Sequence, residues 1–296
     1  MVGQLVWFIT GASKGLGLAL ARQALLRGDL VVATARDTSR IETELFSDTR
    51  IERSHAFTLN LDISWPFHRL AQITADAVQH WGRIDVLVNN ASLWVGAGAS
   101  EEVGADFFQR SITTNLIGTI NVTNAVLPYM RTARIGTIAI FGSRSVYMNG
   151  ISGVAPYTST KAALHAYGES LSTELKPFAI KVVVVLPGNF NTNPGGGLAS
   201  TTGPPISDYD DFRKNLHSMM EKRNEIPNKG DPVKGMDALV DVVRGEGKAA
   251  SKESWPLWLF LGDDGIQNVR ERLKVMGDTV DRWESVGAHL EERDSA

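Results

Sequence analysis

The 296-residue chain contains no cysteine. That absence removes disulfides, thiolate nucleophiles and thiolate metal sites together, so any acid, base or nucleophile must come from other side chains. An excess of positive charge is also missing: 30 Lys and Arg stand against 33 Asp and Glu, for a formal net charge of −3 and a pI near 6.1. Lys and Arg are scattered rather than clustered, which leaves no basic field to hold a polyanion and excludes nucleic acid as an expected partner. No apolar run reaches about 18 residues, and "MVGQLVWFITGAS" has no basic region ahead of its short apolar run. A soluble, cytoplasmic protein without a membrane partner is expected. The six histidines are dispersed with no His-x-x-x-His pair, so no metal site is expected either.

What the chain does have is 43% hydrophobic content, enough for a substantial core in one domain spanning 1–296. Short Val- and Ile-rich runs alternate with stretches of helical periodicity, the pattern of βα units around a parallel sheet. The strands are predicted at 5–10, 30–35, 55–60, 84–90, 136–141, 180–186 and 255–261. Helices are predicted at about 15–28, 66–81, 106–131, 155–176, 206–224 and 231–245. The expected fold class is therefore α/β: a Rossmann-type, doubly wound parallel sheet of about seven strands with helices on both faces. The stretch 191–208 is rich in Gly, Pro, Ser and Thr and reads as a loop, and the charged residues 287–296 read as a frayed tail.

The corner between the first strand and the first helix reads "FITGASKGLGLALARQAL" (8–25). Gly11, Gly15 and Gly17 let the backbone turn sharply and approach a pyrophosphate at a helix N-terminus, and a dinucleotide fits there. Gly11, Ser13, Lys14, Gly15, Leu16 and Gly17 are its candidate contacts. A second pattern lies in "PYTSTKAALHAYGES" (156–170), where Tyr157 and Lys161 share one helix face at i, i+4. Taken alone they could be a surface tyrosine and a snorkelling lysine.

The spacing Thr-Gly-x-x-x-Gly-x-Gly over 10–17, "NNA" at 89–91, Asn115, a serine near 143, Tyr157-x-x-x-Lys161 and "PGNFNT" at 187–192 follow one another in order. Together they closely resemble the short-chain dehydrogenase/reductase family across nearly the first two hundred residues; the final third carries no comparable motif, although "WPLWLFLGDD" looks like that family's last sheet strand. The resemblance implies an oxidoreductase with Asn115, Ser143, Tyr157 and Lys161 as catalytic residues. Tyr157 is the acid/base, a positive Lys161 favours its phenolate and reaches the nicotinamide ribose, Ser143 donates to the substrate oxygen, and Asn115 holds a water beside Lys161. Ser145 competes with Ser143 for the serine position and otherwise faces the substrate. Asn115 has a competing reading as a helix polar group satisfied by backbone.

By the same resemblance Asp62 and Ile63 meet the adenine, Asn89 and Ala91 flank the adenosine ribose, and Pro187, Gly188 and Thr192 orient the nicotinamide. Asp62 could instead cap a turn, and Ser92 stands where a glycine is usual. The second strand ends in Ala35 where NAD enzymes place a carboxylate, and Arg36 follows, suited to a 2′-phosphate with Lys14 nearby. Asp37 is the competing carboxylate, two residues beyond the usual place. NADP(H) is thus expected over NAD(H).

The expected activity is ketoreductase-like interconversion of a carbonyl and an alcohol. The rivals are an imine or C=C reductase on the same scaffold and a non-catalytic NADP(H) sensor. A substrate lid over 191–226 is expected, hinged at Gly195–Gly197 and Pro204–Pro205, with Phe190, Leu198, Ile206, Phe212, Leu216, Met219 and Met220 facing Trp94 and Val146. Ser145, Trp94, Val146 and Phe190 are the candidate substrate contacts, for a medium-sized, mostly apolar small molecule. The competing reading is that these side chains pack the lid helix onto the sheet. His165 is expected to be structural or interfacial. A homodimer or homotetramer through helices 106–131 and 155–176, with Ala162, Ala166 and Ser170 at the contact, is implied by the resemblance.

Overall fold

A computed structural model describes residues 3–192, 205–222 and 229–290. Seven strands form one parallel sheet in the order β3-β2-β1-β4-β5-β6-β7: β1 Val6–Thr10, β2 Leu30–Ala35, β3 Ala56–Asn60, β4 Val86–Asn89, β5 Gly136–Phe141, β6 Ile180–Pro187 and β7 Trp258–Leu261. Among the described residues the α-helices are α1 Gly15–Leu26, α2 Ser39–Leu45, α3 Phe67–Trp81, α4 Ser100–Ser111, α5 Thr119–Ala133, α6 Ala155–Glu174, α7 Asp210–Lys222, α8 Pro232–Arg244 and α9 Asp263–Gly287. None of them is long and apolar enough to cross a membrane.

Both faces of the sheet are covered, which is why the central strands read as unbroken apolar runs. Alternate residues point to opposite layers. Trp7, Ile9, Val31 and Ala33 pack with Leu20 of α1 and Met236, Leu239 and Val240 of α8. Phe8, Val32, Leu87 and Ile138 pack with Leu70 of α3, Val126 of α5 and Leu164 of α6. The register Val6↔Leu30 through Thr10↔Thr34 and Trp7↔Val86 through Ile9↔Val88 aligns the carboxyl ends of β2, β1 and β4 at the point where strand order reverses. In open α/β sheets that crevice is where ligands bind.

Several predicted elements differ from those found. The helix predicted at 106–131 is α4, a π-helical segment Ile112–Gly118 and α5 in succession. The wider π turn brings Gly118 so close to β3's outgoing loop that a Cβ there would lie 2.6 Å from the Ile63 carbonyl oxygen. The short α2 was not predicted, and neither was the long α9, whose helical geometry runs through Gly287. The predicted lid helix is α7 after a 3-10 turn at Ser207–Tyr209. Leu198 and the hinges Gly195–Gly197 and Pro204 lie outside the described residues, as do 291–296 of the predicted tail.

Candidate active site

The glycine turn is tied to the end of β4 by one hydroxyl and one amide. Thr10 Oγ1 donates to the Val88 carbonyl at 3.1 Å and accepts from the Asn90 and Ala91 amides, each at 3.0 Å. Asn90 Nδ2 donates to the carbonyls of Thr10 (2.9 Å) and Gly11 (3.1 Å). This closeness leaves no space for side chains: a Cβ on Gly17 would stand 2.4 Å from both Asn90 Nδ2 and the Gly11 oxygen. Thr10 and Asn90 are supports that sequence reasoning quoted without assigning them a role.

Lys14 stands at the N-cap of α1 and makes no side-chain cap there. Ser13, Gly15 and Leu16 are half-buried beside it, and Thr192 lies across the turn, 3.6 Å from where a Gly15 Cβ would be. At the end of β2, Ala35 is buried and Arg36 exposed, with no side-chain partner among the described residues. Asp37 is occupied otherwise: its Oδ1 accepts from the Ser39 amide (3.0 Å) and hydroxyl (2.8 Å) at the opening of α2, bonds that hold its carboxyl below the usual range. One Asp62 oxygen likewise accepts from the Ser64 amide (2.9 Å) and hydroxyl (2.7 Å), so Asp62 does cap a turn. Ile63 beside it is buried. Asn89 is buried at the end of β4, where Nδ2 donates to Thr123 Oγ1 at 2.9 Å, and Ala91 beyond it is half-buried.

Lys161 follows Tyr157 by one turn of α6. Its Nζ lies 5.6 Å from the Tyr157 ring centroid and donates to the Phe141 carbonyl at 2.6 Å. Only 3% of Lys161 is exposed, and that burial lowers its pKa from 10.5 to about 8. Two residues beyond Phe141, Ser143 caps a 3-10 turn spanning Arg144–Tyr147. Ser143 Oγ and Ser145 Oγ are 2.9 Å apart, and Thr158 Oγ1 donates to Ser145 Oγ at 3.3 Å, a chain of hydroxyls that ends beside Tyr157. Ser145 is the more buried of the two serines.

Asn115 sits in the π segment, 1% exposed. Its Nδ2 donates to the Leu93 carbonyl (3.0 Å) and Thr160 Oγ1 (3.2 Å), while Oδ1 accepts from the Leu93 amide (2.6 Å) and Ser92 Oγ (3.2 Å). Both amide hydrogens are thus committed, and the side chain fastens the 92–93 loop to α6. Ser92, in the usual glycine place, contributes to that fastening.

Trp94 meets Tyr157 edge-on, with ring centroids 5.3 Å apart. Val146 lines an open cleft of about 630 Å³ with Gly153, Thr158, Tyr209 and Phe212; Tyr157, Ser143 and Lys161 do not line it. Phe190 is a correction. It is buried away from that wall, its ring filling the space beside Gly230 and Gly235, where a Cβ would approach to 2.8 and 2.4 Å. Leu216 is buried near Gly153, while Met219 is exposed, and α7 is latched to α4 by Arg213 on Glu102.

The family profile for short chain dehydrogenases matches residues 5–201. The chain belongs to the short-chain dehydrogenase family. It is 30% identical to the oxidoreductase BOA17 of Botryotinia fuckeliana across 94% of this chain and 96% of that protein. A 3-ketodihydrosphingosine reductase of Bacteroides thetaiotaomicron is 34% identical over 73% of this chain and 76% of its own. Among solved structures, a short-chain dehydrogenase from Streptomyces avermitilis superposes with a TM-score of 0.80 at 30% identity, covering 98% of this chain and 99% of that one.

Two supports of this short-chain dehydrogenase's site carry no signal in the motifs. His165, a turn beyond Lys161, accepts the Ser143 amide on Nε2 at 3.2 Å and is packed between Tyr147 and Trp258. Burial, and then the charge of Lys161, lower its pKa to about 4, which keeps it a neutral acceptor. Asp264, in the first turn of α9, accepts the Asn189 amide at 2.8 Å and pairs with Arg144 at 3.3 Å. Gly188 passes so close that a Cβ there would lie 2.0 Å from Asp264 Oδ1. The carboxylate therefore fixes the Pro187–Gly188 turn and the Ser143 loop to each other.

Proposed function

We propose that this short-chain dehydrogenase uses NADP(H) to interconvert a carbonyl and an alcohol on a medium-sized, mostly apolar substrate. The observation that carries the reading is the buried Lys161 ammonium one helical turn from Tyr157. An opposite charge at that range favours phenolate over phenol, so Tyr157 can donate a proton to a substrate oxygen in reduction and accept one in oxidation. Ser143 steadies the same oxygen with its hydroxyl, which Ser145 and Thr158 help to orient. Asn115 positions Trp94 and α6 around it.

The cradle suits a dinucleotide phosphate. The uncapped start of α1 and the collision-bound glycines form the pyrophosphate seat, and Arg36, with Ala35 in the carboxylate place, receives a 2′-phosphate. Pro187, Gly188 and Thr192 edge the nicotinamide. When bound, the nicotinamide supplies or removes the hydride. An apolar substrate is supported by Trp94 against Tyr157 and by Val146 and Phe212 in the adjoining cleft. The relative named for 3-ketodihydrosphingosine reduction points to a ketone on an apolar body. A homodimer or homotetramer through α5 and α6 belongs to the same reading, supported by exposed Ala162, Ala166 and Ser170, as does a cytoplasmic setting.

The test is the initial rate of nucleotide oxidation with a panel of aromatic ketones, aliphatic ketones and sugars, using NADPH and NADH in parallel. NADPH and the apolar ketones are preferred, and Arg36→Ala lowers the NADPH/NADH ratio of kcat/KM by about 10- to 100-fold, the worth of a charge-assisted phosphate contact. Preference for NADH, unchanged discrimination in Arg36→Ala, or faster turnover of sugars overturns the reading. Deuterated NADPH separates the rivals, since the label lands on a carbonyl carbon in this reaction and elsewhere in imine or C=C reduction.

A further inference from the structure

Helix α9 touches the body through the turns carrying Gly265, Asn268 and Arg272, and beyond them it stands in solvent. Leu273, Met276, Val280 and Trp283 are 61%, 52%, 66% and 60% exposed. Single apolar side chains on a surface are ordinary, but these four follow steps of three, four and three. They prolong the line of Ile266 and Val269 into one seam, the a/d spacing of paired helices.

The balance of charge changes sign along the protruding part of the helix: Arg270, Arg272 and Lys274 outnumber Glu271 before the middle of the seam, and Asp278, Asp281 and Glu284 outnumber Arg282 after it. Neither Arg270 nor Glu284 has a side-chain partner among the described residues. They stand about 21 Å apart along the axis at 1.5 Å per residue, too far to meet within one helix. The helix carries more carboxylates than cations, which disfavours an anionic lipid surface.

We propose that α9 pairs with α9 of a second copy of this chain, antiparallel, about a two-fold axis near Asp278. In that register Met276 meets Val280 of the partner subunit and Leu273 meets Trp283 of the partner subunit. Arg270 flanks the seam beside Glu284 of the partner subunit. A parallel pair would set the basic ends side by side. A single helix pair is a small contact beside the roughly 800 Å² per partner that a free-standing interface buries, so the seam would add to the interface proposed through α5 and α6, on which this arrangement rests. The proposal does not rest on the catalytic reading.

Sedimentation velocity on the full chain at micromolar to tens-of-micromolar concentration tests it, comparing the unaltered protein with Met276→Glu/Val280→Glu. Both side chains are exposed, and far-ultraviolet circular dichroism checks that the fold is kept. The double variant halves the assembly mass, and an unchanged mass or a monomeric unaltered protein overturns the pairing. Arg270→Glu and Glu284→Arg each weaken association by about fivefold, as two symmetric surface ion pairs would, and the two together restore it. Failure to restore overturns the antiparallel register. Flotation with phosphatidylcholine vesicles supplies the last arm: binding by the unaltered protein that the double variant loses would assign the seam to lipid and overturn the proposal.

Discussion

Replacing Lys161 by methionine should make the nucleotide-free protein more stable and less active at once. Methionine nearly matches the lysine stem in length and removes the ammonium. Burial holds the Lys161 pKa at about 8 against an ordinary 10.5, which corresponds to about 3 kcal/mol charged against folding below pH 8. Losing the bond to the Phe141 carbonyl returns about 1 kcal/mol of that. Lys161→Met is therefore expected to gain about 2 kcal/mol at pH 7, or about 5 °C in Tm. The sign with pH follows from proton counts. Between pH 8 and 10.5 the unfolded chain binds more protons than the folded one, so the unaltered protein stabilises as pH rises. The advantage of the variant must then shrink, vanish at about pH 10 and reverse slightly above it, where only the lost hydrogen bond remains. Urea unfolding at pH 7 and at pH 10, without nucleotide, measures it, and kcat falls at least about 100-fold if the ammonium supports Tyr157. A variant less stable at pH 7, or a gap that does not close with pH, would refute the reasoning.

His165→Gln should keep an acceptor for the Ser143 amide while removing a titrating group. Because the folded pKa of His165 is about 4, the unaltered protein loses up to about 3 kcal/mol as pH falls from 6.5 towards 4. The variant should lose that much less in acid unfolding, and equal slopes would sink the assignment. Gly17→Ala puts a methyl 2.4 Å from the Gly11 carbonyl oxygen, so thermal unfolding should show a loss of at least about 2 kcal/mol and calorimetry a loss of nucleotide binding. Asp264→Ala unties Gly188 and Arg144 from each other. It should lower kcat with little change in the far-ultraviolet spectrum, and unaltered kinetics would show that the turn needs no such anchor.

The sheet was legible because a strand buried on both faces leaves a mark that needs no partner to interpret. "LVVATA" and "GTIAIF" are found at their predicted bounds as β2 and β5. The site was legible to the extent that its chemistry is local: Tyr157 and Lys161 are set by one turn of one helix, and the glycine corner by one strand and its exit. Contacts across the chain were not legible. Phe190 follows the Pro187–Gly188 turn and read as a pocket wall, yet two glycines some forty residues later make a slot for its ring. Asn115 could be recognised, but the loop that would consume its hydrogens could not. α9 escaped notice for another reason. Only its first turns bury anything, and its later apolar residues lie among charges and Gly277 with no packing against the body to reinforce them.

The junction of Asp264 with Arg144 and Asn189 gives the chain a timetable. Synthesis runs from the N-terminus, and domains can begin to fold as they emerge. The glycine corner, Tyr157 and Lys161 are all made before residue 200, but the carboxylate that fastens two of the surrounding loops arrives only after β7. An unfinished chain on the ribosome can thus build most of the sheet and still lack a closed site. The fastening comes late, and a nascent protein that stops short of α9 holds Tyr157 and Lys161 without the carboxylate that ties the neighbouring loops together.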